Sequence, residues 1–240
     1  MKVNQIFGPT IQGEGKSLGS RVMFLRLSGC NLACTWCDTP ETWNWEGTPF
    51  KHPRKFNPNN EIREMSYVEI AVELQRLGPD VKKLVISGGE PMLQQDKLIV
   101  LLALLKFNGY WVEIETNGTI EPKDEFLELI DQINCSPKTK NSGEDNTLEM
   151  RERPKALKKF IVSEKTNFKF VINGDGDLPE IEDFISRYDI NRSRVYLMPQ
   201  AQTRKEYFAI DIKVQEIAND AKLNFTSRLQ MYYWGNKRGH

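Results

Sequence analysis

Apolar positions along the chain fall into short runs separated by longer helical stretches, and the alternation predicts an α/β fold. Residues 2–7 (KVNQIF) read as a short first strand. Residues 21–29 (RVMFLRLSG) bury Val22, Phe24, Leu25 and Leu27, with Arg26 interrupting the run. Residues 82–91 (KKLVISGGEP) centre on Leu84, Val85 and Ile86. Residues 110–118, 131–138, 168–173 and 194–200 supply further strands, for about eight strand candidates in all. Helices are expected at 66–77, 95–108, 123–130, between the last two strands, and at 205–221. The first opens on a capping box, Ser66-x-x-Glu69, and stops at Gly78.

Strands alternating with helices imply a mainly parallel sheet with right-handed crossovers. Such folds place ligand sites at the carboxyl ends of the strands. Cys30, Gly89, Thr116, Ser136 and Gln200 all fall at such ends, which points to one shared site.

Other stretches break the alternation. GPTIQGEG (8–15) reads as a tight loop whose glycines expose backbone groups. Residues 38–65 form an irregular Trp- and Pro-rich insertion, expected to be a functional lid or a mobile segment. Residues 139–155 read as charged and flexible. Asp175 and Asp177 do not continue into an EF-hand pattern and mark a turn. Cys135 is expected as a buried thiol at a strand end.

A chain of 240 residues permits one large α/β domain, taken here as 1–240. Lys+Arg and Asp+Glu are both 33, so no field of one sign argues for a nucleic-acid or membrane partner. The first residues lack the long apolar run of a secretory signal, and no segment is apolar enough to span a bilayer. Four cysteines with metal-like spacing suggest a reducing cytoplasm rather than a disulfide framework.

The chemistry concentrates in SGCNLACTWCDT. Cys30, Cys34 and Cys37 have the spacing C-x3-C-x2-C. Thiolates suit iron–sulfur clusters, and three closely spaced ones hold three irons of a [4Fe–4S] cluster, leaving one iron open. Cys34 and Cys37 alone would also serve as a redox pair, which leaves Cys30 unexplained. A zinc site needs a fourth ligand, for which the chain offers His52, His240 and Cys135, none with finger-like spacing. Arg26, inside an apolar run, needs an anion: a carboxylate of the protein or of a substrate.

The spacing, with Trp36 at its aromatic position, resembles the radical S-adenosylmethionine (SAM) superfamily. FGPTIQGEG, ISGGEP, ETNGT, SPK and WGNKRG extend the likeness over residues 7–239, and there the chain is similar to the 7-carboxy-7-deazaguanine synthases. The resemblance implies an incomplete (β/α) barrel. It implies ring contraction of 6-carboxy-5,6,7,8-tetrahydropterin to 7-carboxy-7-deazaguanine and ammonia, for queuosine and related 7-deazapurines. In that family the reduced cluster cleaves SAM, the resulting 5′-deoxyadenosyl radical takes hydrogen from C6, and SAM is regenerated. The other superfamily member considered is an activating enzyme that places a glycyl radical on a partner protein.

Residue by residue, the resemblance gives Cys30, Cys34 and Cys37 to the cluster. It gives Trp36, Cys37, Asp38, Gly89, Glu90, Ser136, Pro137, Lys138 and Gln200 to SAM. Ile11, Gln12, Gly13, Glu14, Arg26 and Ser87 are expected to read the pterin, and Thr39 to bind magnesium, unless its hydroxyl merely caps the turn before Pro40. A low-potential donor such as flavodoxin or ferredoxin, and a homodimer, are implied as well.

Overall fold

The computed structural model describes residues 1–50 and 52–239, so His240 lies outside the described residues. In chain order the elements are β1 (Lys2–Ile11), β2 (Arg21–Leu27), α1 (Pro58–Glu61), β3 (Arg63–Glu64), α2 (Tyr67–Leu77) and β4 (Lys83–Gly88). Then come α3 (Gln95–Phe107), β5 (Trp111–Thr116), α4 (Asp124–Leu129), β6 (Gln132–Cys135), α5 (Leu148–Arg151) and α6 (Pro154–Val162). The chain ends with β7 (Thr166–Ile172), α7 (Leu178–Tyr188), β8 (Val195–Pro199), α8 (Arg204–Asp220), β9 (Asn224–Phe225) and α9 (Leu229–Trp234).

The strands form one sheet in the order β3-β1-β2-β4-β5-β6-β7-β8-β9. From β2 to β9 every pairing is parallel, while β1 runs antiparallel to both β2 and β3. Among the described residues β3 and β9 do not pair with each other, so the sheet curves without closing. The architecture is an incomplete (β/α) barrel.

The core lies between the sheet and its helices. Leu25, Leu84, Ile86, Ile114 and Ile133 on the strands meet Leu98, Leu101, Phe126 and Phe160 on the helices, all fully buried. The α2 capping box forms as expected: Ser66 accepts from Glu69 N, and the Glu69 carboxylate accepts from Ser66 N. No helix among the described residues is long and apolar enough to cross a membrane.

Two expectations need correction. The strand that begins at Lys2 does not stop at Phe7. A register shift between Phe7 and Thr10 absorbs Gly8 and Pro9, and Thr10 and Ile11 pair again with Val22 and Arg21. Residues 139–155 are not a flexible stretch: they hold a short 3-10 turn at Lys140–Ser142 and α5, and Ser142 and Asn146 are buried. The insertion at 38–65 is anchored at both ends of its loop, through buried Trp43 and Asn44 and through Phe56, whose backbone exchanges hydrogen bonds with Asn44 and Glu46.

Candidate active site

One pocket opens at the carboxyl ends of the parallel strands. Its floor is set by glycine. Gly89 N donates to Leu27 O at 3.1 Å and Glu90 N to Gly29 O at 2.7 Å, so the end of β4 lies directly against the start of the cysteine loop. A Cβ on Gly89 would sit 2.1 Å from the Gly29 carbonyl oxygen, which only glycine avoids.

Cys30, Cys34 and Cys37 all border this pocket, and none is in a disulfide. Side chains from outside the loop hold it. Asn146 Nδ2 donates to Cys34 Sγ at 3.3 Å, and Asn146 Oδ1 accepts from Ala33 N at 2.8 Å. Trp43 Nε1 donates to Cys37 Sγ at 3.3 Å. Trp36 Nε1 donates to the Asn141 carbonyl at 2.9 Å. Burial pushes all three thiols up, Cys37 to about 12, so without a cation they stay protonated at neutral pH.

Of the residues expected around SAM, Trp36, Asp38, Gly89, Ser136, Lys138 and Gln200 line the same pocket. Lys138 Nζ donates to Ser136 Oγ at 2.8 Å and lies 5.7 Å from the centre of the Trp36 ring. Two do not line it. Pro137 is outside the wall, and the Glu90 side chain is fully buried behind it. The Glu90 carboxylate is occupied by Met92 N (2.9 Å), Thr116 Oγ1 (2.8 Å) and Asn117 N (2.6 Å). It joins the ends of β4 and β5 and presents no oxygen to a ligand.

The expected substrate residues Ile11, Gln12, Gly13, Glu14, Arg26 and Ser87 all border the pocket. Arg26 meets a carboxylate of the protein only loosely. Its Nη1 is 3.8 Å from Glu41, a loose ion pair, and its guanidinium stacks 5.3 Å from the centre of the Phe7 ring. Its Nε is buried without a hydrogen-bond partner among the described residues. The other acceptors are largely taken. Gln12 O accepts from Gly19 N, and Gly13 O accepts from Leu229 N.

Glu14 belongs to a buried ionic chain that the sequence did not reveal. Its Oε2 accepts from Lys169 Nζ, and its Oε1 accepts from Arg228 Nε at 3.1 Å and from Gln230. Arg228 continues to Asp38 at 2.5 Å. Burial alone would raise the Glu14 carboxyl, but Lys169 and Arg228 overcome it and hold it down at about 2. Glu115, on β5, lies 3.7 Å from Lys169 and also borders the pocket. Thr39 lines the pocket with its Oγ1 3.8 Å from Cys37 Sγ, and its side chain makes no cap to the following turn.

Sequence comparison agrees with this geometry. Residues 25–160 match the model of the Radical SAM superfamily. The chain is 32% identical to the 7-carboxy-7-deazaguanine synthase of Pyrobaculum aerophilum, over 100% of this chain and 97% of that one. It is 33% identical to the enzyme of the same name from Bacillus subtilis, covering 99% and 97%. The crystal structure of QueE from Escherichia coli superposes with a TM-score of 0.66 at 24% identity, covering 94% of this chain and 92% of that one, a likeness of fold. An open parallel sheet whose strand ends carry a three-cysteine loop defines a radical SAM protein. Within that class, the chain belongs to the 7-carboxy-7-deazaguanine synthase family.

The residues present fit the cluster and SAM that such a family implies. Three unpaired thiols face one cavity, and their loop is braced by Asn146 and Trp43 rather than by competing ligands. For magnesium, which keeps several waters, the Thr39 hydroxyl is a suitable single oxygen donor.

Proposed function

We propose that this chain converts 6-carboxy-5,6,7,8-tetrahydropterin to 7-carboxy-7-deazaguanine and ammonia, in the making of queuosine and related 7-deazapurines. The observation that carries the reading is Arg26. A half-buried guanidinium with a buried, unpaired Nε and a loose partner in Glu41 is held against Phe7 in the same pocket as the cysteine loop. A substrate carboxylate supplies the anion that this fork lacks. The relatives' shared name gives that product.

In this reading Cys30, Cys34 and Cys37 hold a [4Fe–4S] cluster. SAM lies along Trp36–Asp38, Gly89, Ser136, Lys138 and Gln200. The cluster and SAM together supply the one-electron chemistry that opens and restores a C–H bond of the substrate. The chain's own contribution is positional. Gly89 lets the β4 end approach the cysteine loop, Ser87 and Arg26 sit side by side on β4 and β2, and Thr39 holds magnesium. Residues 1–240 act as one domain. We further propose a flavodoxin- or ferredoxin-type reductant, a homodimer and a cytoplasmic setting. No observation favours the activating-enzyme alternative.

The test is an anaerobic assay of the reconstituted protein with SAM, a low-potential reductant, magnesium and the carboxylated pterin. One ammonia for each 7-carboxy-7-deazaguanine is expected, because the product differs from the substrate by the elements of ammonia alone. SAM cleavage without that product would overturn the reading.

A further inference from the structure

Arg228 stands at the start of α9, buried, and its guanidinium reaches three separate parts of the pocket. Its Nε donates to Glu14 Oε1 at 3.1 Å, its Nη2 to Asp38 Oδ2 at 2.5 Å, and its Nη1 to the Ala201 carbonyl at 2.5 Å. Glu14 stands on the loop proposed to read the pterin. Asp38 follows the last loop cysteine and Ala201 follows Gln200, and both Asp38 and Gln200 belong to the proposed SAM wall. Among the described residues, no other cation pairs with a carboxylate on each of these two walls.

The next two residues tighten the link. Leu229 N donates to Gly13 O at 3.0 Å, and Gln230 Nε2 donates to Glu14 Oε1. The pterin loop therefore rests on residues 228–230 through both its backbone and its carboxylate. Buried Tyr207, on α8, pins the near end of this segment through its hydroxyl, 2.6 Å from Ser227 Oγ. A guanidinium holds its donors in one rigid plane, so a shift of Asp38 moves the donor that meets Glu14.

Each carboxylate also has support of its own. Glu14 accepts from Lys169 Nζ and Gln230 Nε2, and the Asp38 side chain is 39% exposed and open to water. Neither depends on Arg228 alone, so what the fork uniquely supplies is the connection between them.

Resting on the functional reading above, we propose that Arg228 is a positioning residue that couples SAM binding to pterin binding. SAM seated along Trp36–Asp38 orders that end of the cysteine loop. The fork carries this order to Gly13 and Glu14, so the pterin meets a loop already set. The coupling is reciprocal, and the pterin tightens SAM by the same factor.

The product keeps the carboxylate and the aminopyrimidinone edge, so the coupling can be read by equilibrium binding without turnover. 7-Carboxy-7-deazaguanine is titrated calorimetrically into reconstituted protein with the cluster kept oxidised, with and without saturating SAM. SAM is then titrated with and without the product. In the wild type each ligand is expected to tighten the other by one shared factor, about 5- to 150-fold. Arg228→Lys keeps the charge but has no rigid fork. It should bring that factor close to one, while each ligand alone binds within a few-fold of wild type and iron is retained. Glu14→Gln removes the charge from the pterin arm and should shrink the same factor, so it decides the matter if Arg228→Lys fails to hold iron. Independent binding of the two ligands to the wild type overturns the inference with no variant needed. A wild-type factor in either variant overturns it too, because the ligands would then sense one another directly. A wild type that binds no product refutes the functional reading, and the inference falls with it.

Discussion

Asn146 donates its side-chain amide to Cys34 Sγ across 112 residues of chain, and the same amide's oxygen accepts from the neighbouring Ala33 backbone. One buried side chain therefore fixes both a proposed ligand and the loop that presents it. Hydrogen bonds to cluster sulfurs favour the reduced, more negative state. Asn146→Ala is expected to lower the reduction potential of the reconstituted protein and to speed iron loss to a chelator. The orphaned Ala33 N–H should also cost about 1–3 kcal/mol of stability. Electron paramagnetic resonance titration and a chelator challenge measure the two effects. An unchanged potential with unchanged iron retention would show that the contact is only packing.

Arg26 offers a second test. Arg26→Ala should raise the pterin KM by about 10- to 150-fold, the loss of one charged hydrogen bond, while leaving iron content intact. Arg26→Lys keeps the charge but not the two-pronged geometry, so it should recover only part of the affinity. Steady-state kinetics beside an iron assay separate the outcomes. If either variant loses its iron, Arg26 is a structural brace, acting through Glu41.

The contrast between these two residues explains what the sequence made legible. Arg26 announced itself, because a charge inside an apolar strand demands a partner wherever the strand packs. The cysteine loop, the glycine pair after β4 and the strand ends were readable for a similar reason: their meaning is local. Asn146, Trp43, Lys169 and Arg228 carry no such mark. Asn146, Lys169 and Arg228 reach the site from distant segments, and a lone Asn or Lys fits a solvated loop equally well. Residues 139–155 look flexible because they are charged, yet the three inward groups that matter there are neutral: Asn141, Ser142 and Asn146. Glu90 shows a different limit. Its motif position pointed at a ligand, but two backbone N–H groups and Thr116 claim the carboxylate first.

Thr39 puts the magnesium proposal to the test. Its side chain does not cap the following turn, and it borders the pocket beside Cys37. Thr39→Ala should flatten the response of the rate to magnesium, whereas Thr39→Ser should preserve it, because a single hydroxyl oxygen is the group required. Activity measured across a magnesium titration gives the answer. A wild-type response from the alanine variant would move the ion elsewhere.

The pH dependence of stability should carry the imprint of Glu113. This carboxyl lies fully buried beneath the pocket, with Gln12 Nε2 donating to it at 2.9 Å and with Asn134 and Ser17 also bonded to it. Burial raises it from 4.5 to about 7, and Glu115 adds to the rise. Between those values the native protein holds a proton that the unfolded chain has released, so stability falls as pH climbs through this window. The full loss, on the order of 3 kcal/mol, is in place once pH exceeds the folded value. Glu14 works in the opposite sense and lower down. Its carboxyl, held at about 2, contributes stability that is complete above 4.5 and lost as pH falls towards 2. Glu41, Glu90 and Glu115 are also raised, so the wild-type slope is not due to Glu113 alone. Glu113→Gln isolates it: glutamine is neutral at every pH, its oxygen still accepts from Gln12 and Asn134, and its amide donates to Ser17. The variant should therefore be nearly level with the wild type at pH 4.5 and more stable by pH 8, as read from thermal midpoints of iron-loaded protein under nitrogen. A constant difference across that range would mean that Glu113 stays ionised in the fold.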